Sequence, residues 1–229
     1  MAGTALVIGA TGGIGEALVA ALGARGEYDR VVALSRSSDP PVDVCREPSI
    51  AAAADWLMQT AGAPGLIVDA TGFLHDARFG PEKALAGIDP DHMAKAFAIN
   101  ATGPALLMKH FLPLLPRGER AVFATLSARV GSIGDNRLGG WHAYRASKAA
   151  LNQLVRGAAI ELGRKNRNAI CVALHPGTVD TPLSQPFARS GLDVRAPDVA
   201  AGEILDVIAG LTPDDTGGFF DHKGERVEY

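Results

Sequence analysis

The sequence predicts an α/β domain, a doubly wound parallel sheet with helices on both faces. Short apolar runs alternate with helix-like segments along the whole chain, and such alternation gives parallel strands joined by helical crossovers. The first run, Thr4-Ala5-Leu6-Val7-Ile8, opens directly into Gly9-Ala10-Thr11-Gly12-Gly13-Ile14-Gly15 and then a helix-like stretch from Glu16 to Arg25. The 229 residues are 47% apolar and 21% charged, enough for a sizeable core in one domain spanning 1–229.

The order strand, glycine-rich turn, helix is that of a dinucleotide site of Rossmann type. Glycines let the backbone approach a pyrophosphate, and the helix start offers free N–H groups and the positive end of its dipole. Arg30 to Leu34 reads as the second strand, followed by Ser35-Arg36-Ser37-Ser38. An acid there would bind the adenosine ribose and favour NAD. None stands between Val31 and Ser38; Arg36 instead offers a planar fork for a 2′-phosphate, with Ser35 and Ser37 as hydroxyl donors. The expected cofactor is therefore NADP(H) in preference to NAD(H). The competing reading of Arg36 is a solvated turn arginine.

Val42-Asp43-Val44 is expected to form a short third strand, with Asp43 facing the adenine. Ser49 to Thr60, rich in alanine, is expected to be helical, and Gly65 to Ala70 a fourth strand ended by Thr71-Gly72. Asp89-Pro90 carries the cap and first position of a helix expected to run to about His110, with Asn100 in its middle among apolar neighbours. Arg120 to Leu126 is another buried strand, and Ser127 at its carboxyl end points to the ligand crevice. Ser132 to Gly140 is polar and glycine-rich, hence a loop. Ala169 to Leu174 is a strand running into His175-Pro176-Gly177-Thr178-Val179-Asp180-Thr181-Pro182. His175 reads as a strand-end residue rather than a base. Ser184 to Arg195 is expected to be a mobile loop, Pro197 to Leu211 a helix, and Gly218 to Asp221 a last short strand.

The segment Ala143 to Leu162 is rich in Ala and Leu, with no Pro and one Gly, and reads as a helix. Tyr144 and Lys148 sit one turn apart on it. A phenol ordinarily titrates near ~10, and a neighbouring ammonium favours the phenolate. The pair is thereby suited to passing a proton to or from a substrate oxygen.

Several classes are excluded. Net charge is −3 with no basic stripe, so nucleic acid is not the expected partner. Cys45 and Cys171, the only cysteines, lie in no C-x-x-C pair and read as reduced thiols, with no metal site. The apolar stretch Ala5–Ile8 is too short for a signal peptide, and no apolar run approaches the roughly 18 residues of a membrane helix. A cytoplasmic protein with no membrane partner is expected.

Taken together, Gly9/Gly13/Gly15, Asp43-Val44, Asn100, Ser127, Tyr144-x-x-x-Lys148 and Pro176-Gly177-x-x-x-Thr181 resemble the short-chain dehydrogenases/reductases over essentially the whole chain. The stretches 127–141 and 175–183 are similar to the subgroup of sniffer-type carbonyl reductases and the bacterial C-factor. The resemblance implies a reversible carbonyl–alcohol oxidoreductase. Tyr144 would be the general acid in reduction and the base in oxidation, and Lys148 would hold the nicotinamide ribose. Ser127 would bind the substrate oxygen, and Asn100 would hold a relay water through its helix. Gly9, Thr11, Gly12, Gly13, Ile14, Gly15, Ser35, Arg36, Asp43, Val44, Ala70, Thr71 and Gly72 would line the dinucleotide. Pro176 and Gly177 would also bind the cofactor, and Thr181 and the Val179 backbone would contact the carboxamide. A homodimer or homotetramer is implied, with Leu151, Val155 and Leu162 assigned either to core or to partner. Two departures stand out. Asp69-Ala70-Thr71-Gly72 replaces the family's Asn-Asn-Ala-Gly, and the stretch between Ser127 and Tyr144 is longer than usual. Trp141, Leu138 and Arg137 on that stretch would shape the substrate mouth or an interface, and Leu183, Phe187 and Leu192 suggest a substrate with apolar bulk. A cofactor-binding signalling or sensor protein with little turnover is the alternative function.

Overall fold

In the computed structural model, residues 3–187 and 193–229 are described. Six strands form one parallel sheet: β1 (Thr4–Ile8), β2 (Arg30–Leu34), β3 (Pro64–Asp69), β4 (Ala121–Leu126), β5 (Ala169–His175) and β8 (Phe219–Asp221), in the order β2-β1-β3-β4-β5-β8. β6 (Thr178–Val179) and β7 (Val194–Arg195) pair separately beyond β5. The chain winds outward from β1 in both directions, so the loops after β1 and β3 flank the switch point where doubly wound sheets bind ligands.

Strand side chains alternate between two cores. Leu6 and Ile8 of β1 face one; Ala5 and Val7 face the other. The first core is closed by α2 (Glu47–Thr60), α4 (Gly103–Phe111) and α5 (His142–Lys165), through Ile50, Leu57, Leu107, Phe111, Leu151, Val155 and Leu162. Leu151, Val155 and Leu162 are therefore core residues. The second core is closed by α1 (Gly13–Arg25) and α6 (Pro197–Gly210), through Leu18, Leu22, Ile204, Leu205 and Ile208. Each large aliphatic side chain so buried contributes roughly 1.5–3 kcal/mol.

Three expectations are corrected. Residues 42–44 form no strand. Val42 and Val44 are buried in the first core, yet the backbone here is a loop, tied by the Val42 N–H donating to the Ser35 carbonyl at 2.7 Å. Pro40 and Pro41 remove donors just upstream, and the run is too short to make a ladder. The helix from Pro90 is not uniform: α3 (Pro90–Phe97) leads into a π-helical turn, Ala98–Thr102, and then α4. A π-turn inside a helix frequently marks a functional position, and Asn100 lies in it, fully buried. Third, the Ser184 to Arg195 segment is structured in part, with a 3₁₀ turn at Gln185–Phe187 and β7; Leu192 lies outside the described residues. The Asp89 cap holds as expected: its carboxylate accepts from the N–H groups of Asp91 and His92, with Pro90 next.

Candidate active site

The turn after β1 is shaped by what its glycines exclude. A Cβ on Gly15 would meet the Gly9 carbonyl oxygen at 2.2 Å, and one on Gly13 would meet Thr181 Cγ2 at 2.7 Å. The chain thus folds back on itself with no side chain between its turns, and α1 starts at Gly13 with Gly12 as N-cap and no side-chain cap. That leaves N–H groups free at the positive end of a helix dipole, a ready anion site. Gly9 backs onto Ala70, so the loops carrying Gly9–Gly15 and Ala70–Gly72 line one crevice. Thr181 reaches the same place from the loop after β6.

At the end of β2, Arg36 is exposed. Ser35 and Ser37 approach each other through their hydroxyls at 3.1 Å, and the Ser38 hydroxyl accepts from the Ser35 N–H. The turn is thereby rigid while the guanidinium remains outside it. Asp43 gives one carboxylate oxygen to the Cys45 N–H at 2.9 Å, and Val44 packs against Gly103.

The four residues expected to carry chemistry come together. Tyr144, Lys148 and the unforeseen Asn152 recur every four positions along α5, so they share a face. Lys148 Nζ lies 6.0 Å from the Tyr144 ring centroid and donates to the Leu126 carbonyl at 2.7 Å. The Ser127 hydroxyl donates to Asn152 Oδ1 at 2.7 Å. A Cβ built on Gly72 would lie 3.9 Å from Asn100 Oδ1 and 4.0 Å from Lys148 Nζ. Asn100 itself accepts from the Phe73 N–H at 2.7 Å and donates to the Phe73 carbonyl and the Ser147 hydroxyl. Its side chain therefore clamps the post-β3 loop to α5.

The electrostatics differ from the sequence expectation in one respect. Burial pushes the Tyr144 phenol up to about 12, although part of the residue faces solvent, and Lys148 does not pull it down. The reason is geometric: the ammonium is turned to the Leu126 carbonyl rather than to the phenol oxygen. Burial lowers Lys148 to about 8, opposed by the nearby Asp69 carboxylate. Asp69 is fully buried, and burial raises its pKa against three hydrogen bonds: from the Thr71 N–H and hydroxyl, and from the Thr125 hydroxyl. It thus ties β3 to β4 and to Thr71, as a strand-end cap. His175 closes β5; burial, His222 and Arg129 push it down to about 4, so it is neutral at physiological pH.

Above this crevice the aromatic side chains form a chain. Trp141 meets Tyr144 edge-on at 6.2 Å and Phe187 at 5.5 Å, and Phe187 meets His75 at 5.2 Å. Leu138 stands 91% exposed, and Leu183 is also exposed; Arg137 is bonded back to the Gly134 carbonyl. Asn152 was legible in the four-residue spacing from Tyr144; His75 had no signal, because its contact is made only by the fold.

A glycine turn at a parallel-sheet switch point, faced by buried Ser127, Lys148 and Asn100 and half-buried Tyr144, defines an α/β oxidoreductase. Residues 9–207 match the family described as enoyl-(acyl carrier protein) reductase, and the chain belongs to the short-chain dehydrogenases/reductases. Among its relatives, C-signal of Myxococcus xanthus is 40% identical over 146 residues, covering 64% of this chain and 84% of that protein. The 1-hydroxy-2-glutathionyl-2-methyl-3-butene dehydrogenase of Rhodococcus sp. (strain AD45) is 31% identical over 235 residues, covering 99% of each. The crystal structure of NADPH-bound carbonyl reductase from chicken fatty liver superimposes with a TM-score of 0.86 at 26% identity, covering 100% of both chains. The carbonyl reductase Sniffer of D. melanogaster gives 0.85 at 22% identity over the full length of both, a likeness of fold. No helix among the described residues is long and apolar enough to cross a membrane.

Proposed function

We propose that the protein is an NADP(H)-dependent reductase of a small-molecule carbonyl, with Tyr144 as the proton donor. The observation that carries this reading is the convergence of Tyr144, Lys148, Ser127 and Asn100 on one crevice, opposite the glycine turn. The residues fit a dinucleotide: Gly9, Thr11, Gly12, Gly13, Ile14 and Gly15 would take the pyrophosphate, in a turn whose close approaches leave no room for a Cβ at Gly9, Gly13 or Gly15. Ser35 and Arg36 would take a 2′-phosphate, and Asp43 and Val44 the adenine edge. Ala70, Thr71 and Gly72 would line the ribose, and Pro176, Gly177, Val179 and Thr181 the carboxamide. The bound nicotinamide supplies hydride chemistry.

The chain supplies the rest. A phenol held near 12 stays protonated at every physiological pH, so Tyr144 has its proton in place for the reduction. As negative charge develops on the substrate oxygen, Tyr144 gives its proton to that atom and the Ser127 hydroxyl, released from Asn152, donates to it as well. Lys148 keeps an ammonium beside the site at neutral pH. Trp141 and Phe187 roof the crevice and exclude water.

The test is a panel of aldehydes, ketones and alcohols with NADPH, NADH and their oxidised forms; reduction of any panel carbonyl with NADPH preferred supports the reading. The 40% identity to C-signal favours a second reading, a cofactor-binding signalling protein. Tight NADPH binding with no turnover across the panel would select it.

A further inference from the structure

The segment between β3 and α3 has little regular structure, yet Glu82 within it is 6% exposed. Its two carboxylate oxygens accept from the Ala143 N–H at 3.3 and 3.2 Å. Its carbonyl accepts from the Trp141 N–H at 2.5 Å. These are the first N–H groups of α5, which have no partner within the helix. α5 lacks a side-chain cap of its own, because its N-cap residue is Trp141, with φ 51 in the left-handed region. The negative carboxylate meets the positive end of the helix dipole. Glu82 therefore brings, from 61 positions upstream, the cap that the local sequence lacks.

A second residue holds Glu82 in place. His92 of α3 is 3% exposed, and its Nδ1 lies 3.2 Å from Glu82 Oε1. Its ring stacks on Phe79 at 5.1 Å and meets Phe73 edge-on at 5.9 Å. The Phe73 backbone is the one clamped by Asn100. A contiguous set of contacts thus runs from Asn100 through Phe73, His92 and Glu82 to Trp141, whose ring lies against Tyr144. A left-handed tryptophan is strained, and such a conformation persists only where its surroundings over-determine it.

We propose that Glu82, held by His92, is a positioning residue: it fixes the start of α5 and, through Trp141, the placement of the Tyr144 phenol. This rests on the reading of Tyr144 as proton donor. Glu82 touches neither substrate nor cofactor; it acts on the geometry of the residue that does.

The experiment uses the full chain carrying Trp56→Phe, which leaves Trp141 as the sole tryptophan, since the sequence has two. Glu82→Ala and Glu82→Asp are made in that background. Tryptophan emission, NADPH affinity, kcat and KM for a panel carbonyl, and the thermal midpoint are measured. Glu82→Ala should shift the emission to the red and lower kcat by about 10²-fold, the effect of a misplacement of roughly 1 Å, with NADPH affinity unchanged. Glu82→Asp keeps the charge but withdraws the carboxylate by one methylene, so it should move emission and kcat in the same direction and less far. A lower midpoint with parental emission and kcat would mean a structural role alone and would overturn the proposal. If Glu82→Ala does not fold, parental emission and kcat in Glu82→Asp overturn it equally. A parent with no turnover would instead count against the carbonyl-reductase reading, and the emission of the two variants would still decide the question of Glu82.

Discussion

Lys148→Met offers a test of the buried ammonium without any substrate. Burial lowers the lysine pKa from 10.5 to about 8. At about 1.4 kcal/mol per pKa unit, that drop is a preference of roughly 3 kcal/mol for the neutral amine in the folded state. The sign follows from proton counting. Between pH 8 and 10.5 the unfolded chain still holds the proton and the folded chain has released it, so stability rises with pH across that window. Below about pH 8 both states are protonated and the cost of the buried charge is constant. Lys148→Met removes this titration. It also strips the Leu126 carbonyl of its donor, which costs ~1–3 kcal/mol at every pH. The offset between the two proteins is thus hard to use, but its change with pH is not. Urea unfolding at pH 7.5 and pH 10.5 should show the parent gaining about 3 kcal/mol relative to Lys148→Met between the two. Parallel stability profiles would refute the reasoning and mean that the amine is not desolvated as the fold places it.

Further outcomes follow from the same geometry. Asp69→Asn removes the carboxylate that supports the Lys148 charge, so in that variant the rise of stability with pH should start below the parental onset near pH 8 in the same urea series; an unmoved onset would mean that Asp69 does not act on Lys148. Gly15→Ala sets a Cβ at 2.2 Å from the Gly9 carbonyl oxygen; overpacking of this kind costs ~1–3 kcal/mol, and calorimetry and NADPH titration should show a lowered midpoint together with weakened binding. Arg36→Asp should weaken NADPH binding by roughly 10–100-fold, the loss of a charged hydrogen bond worth ~1.5–3 kcal/mol, while leaving NADH binding equal or better; equal NADPH affinity would take Arg36 out of the site.

Much of this architecture was legible in the chain because local chemistry and global fold agree. Thr4–Ile8 and its glycines announce a strand and a phosphate turn, and the structure puts them at the switch point. Tyr144, Lys148, Ser127 and Asn100 were identified from spacing and resemblance, and they meet. What escaped reading depends on contacts between distant segments. Val42–Val44 has the apolar pattern of a strand, but it is short, follows two prolines, and gives its Val42 N–H to the Ser35 carbonyl instead of to a ladder. The π-turn around Asn100 leaves no mark in helix propensity, since it arises where the side chain is drawn to Phe73 and Ser147. The phenol pKa went the wrong way because spacing on a helix gives proximity but not the direction of the ammonium, which the Leu126 carbonyl decides. Glu82 had no signal at all: a lone glutamate in a loop becomes a helix cap only when the chain returns to it 61 positions later.

In the proposed reaction the Tyr144 hydroxyl delivers the proton to the reduced carbonyl. Steady-state reduction by the parent and by Tyr144→Phe, with NADPH affinity measured on both, tests it most directly. Tyr144→Phe should leave NADPH affinity unchanged and lower kcat by about 10²–10⁴-fold, the contribution of a positioned acid. A Tyr144→Phe protein that binds NADPH and reduces the same carbonyl at the parental rate would contradict it.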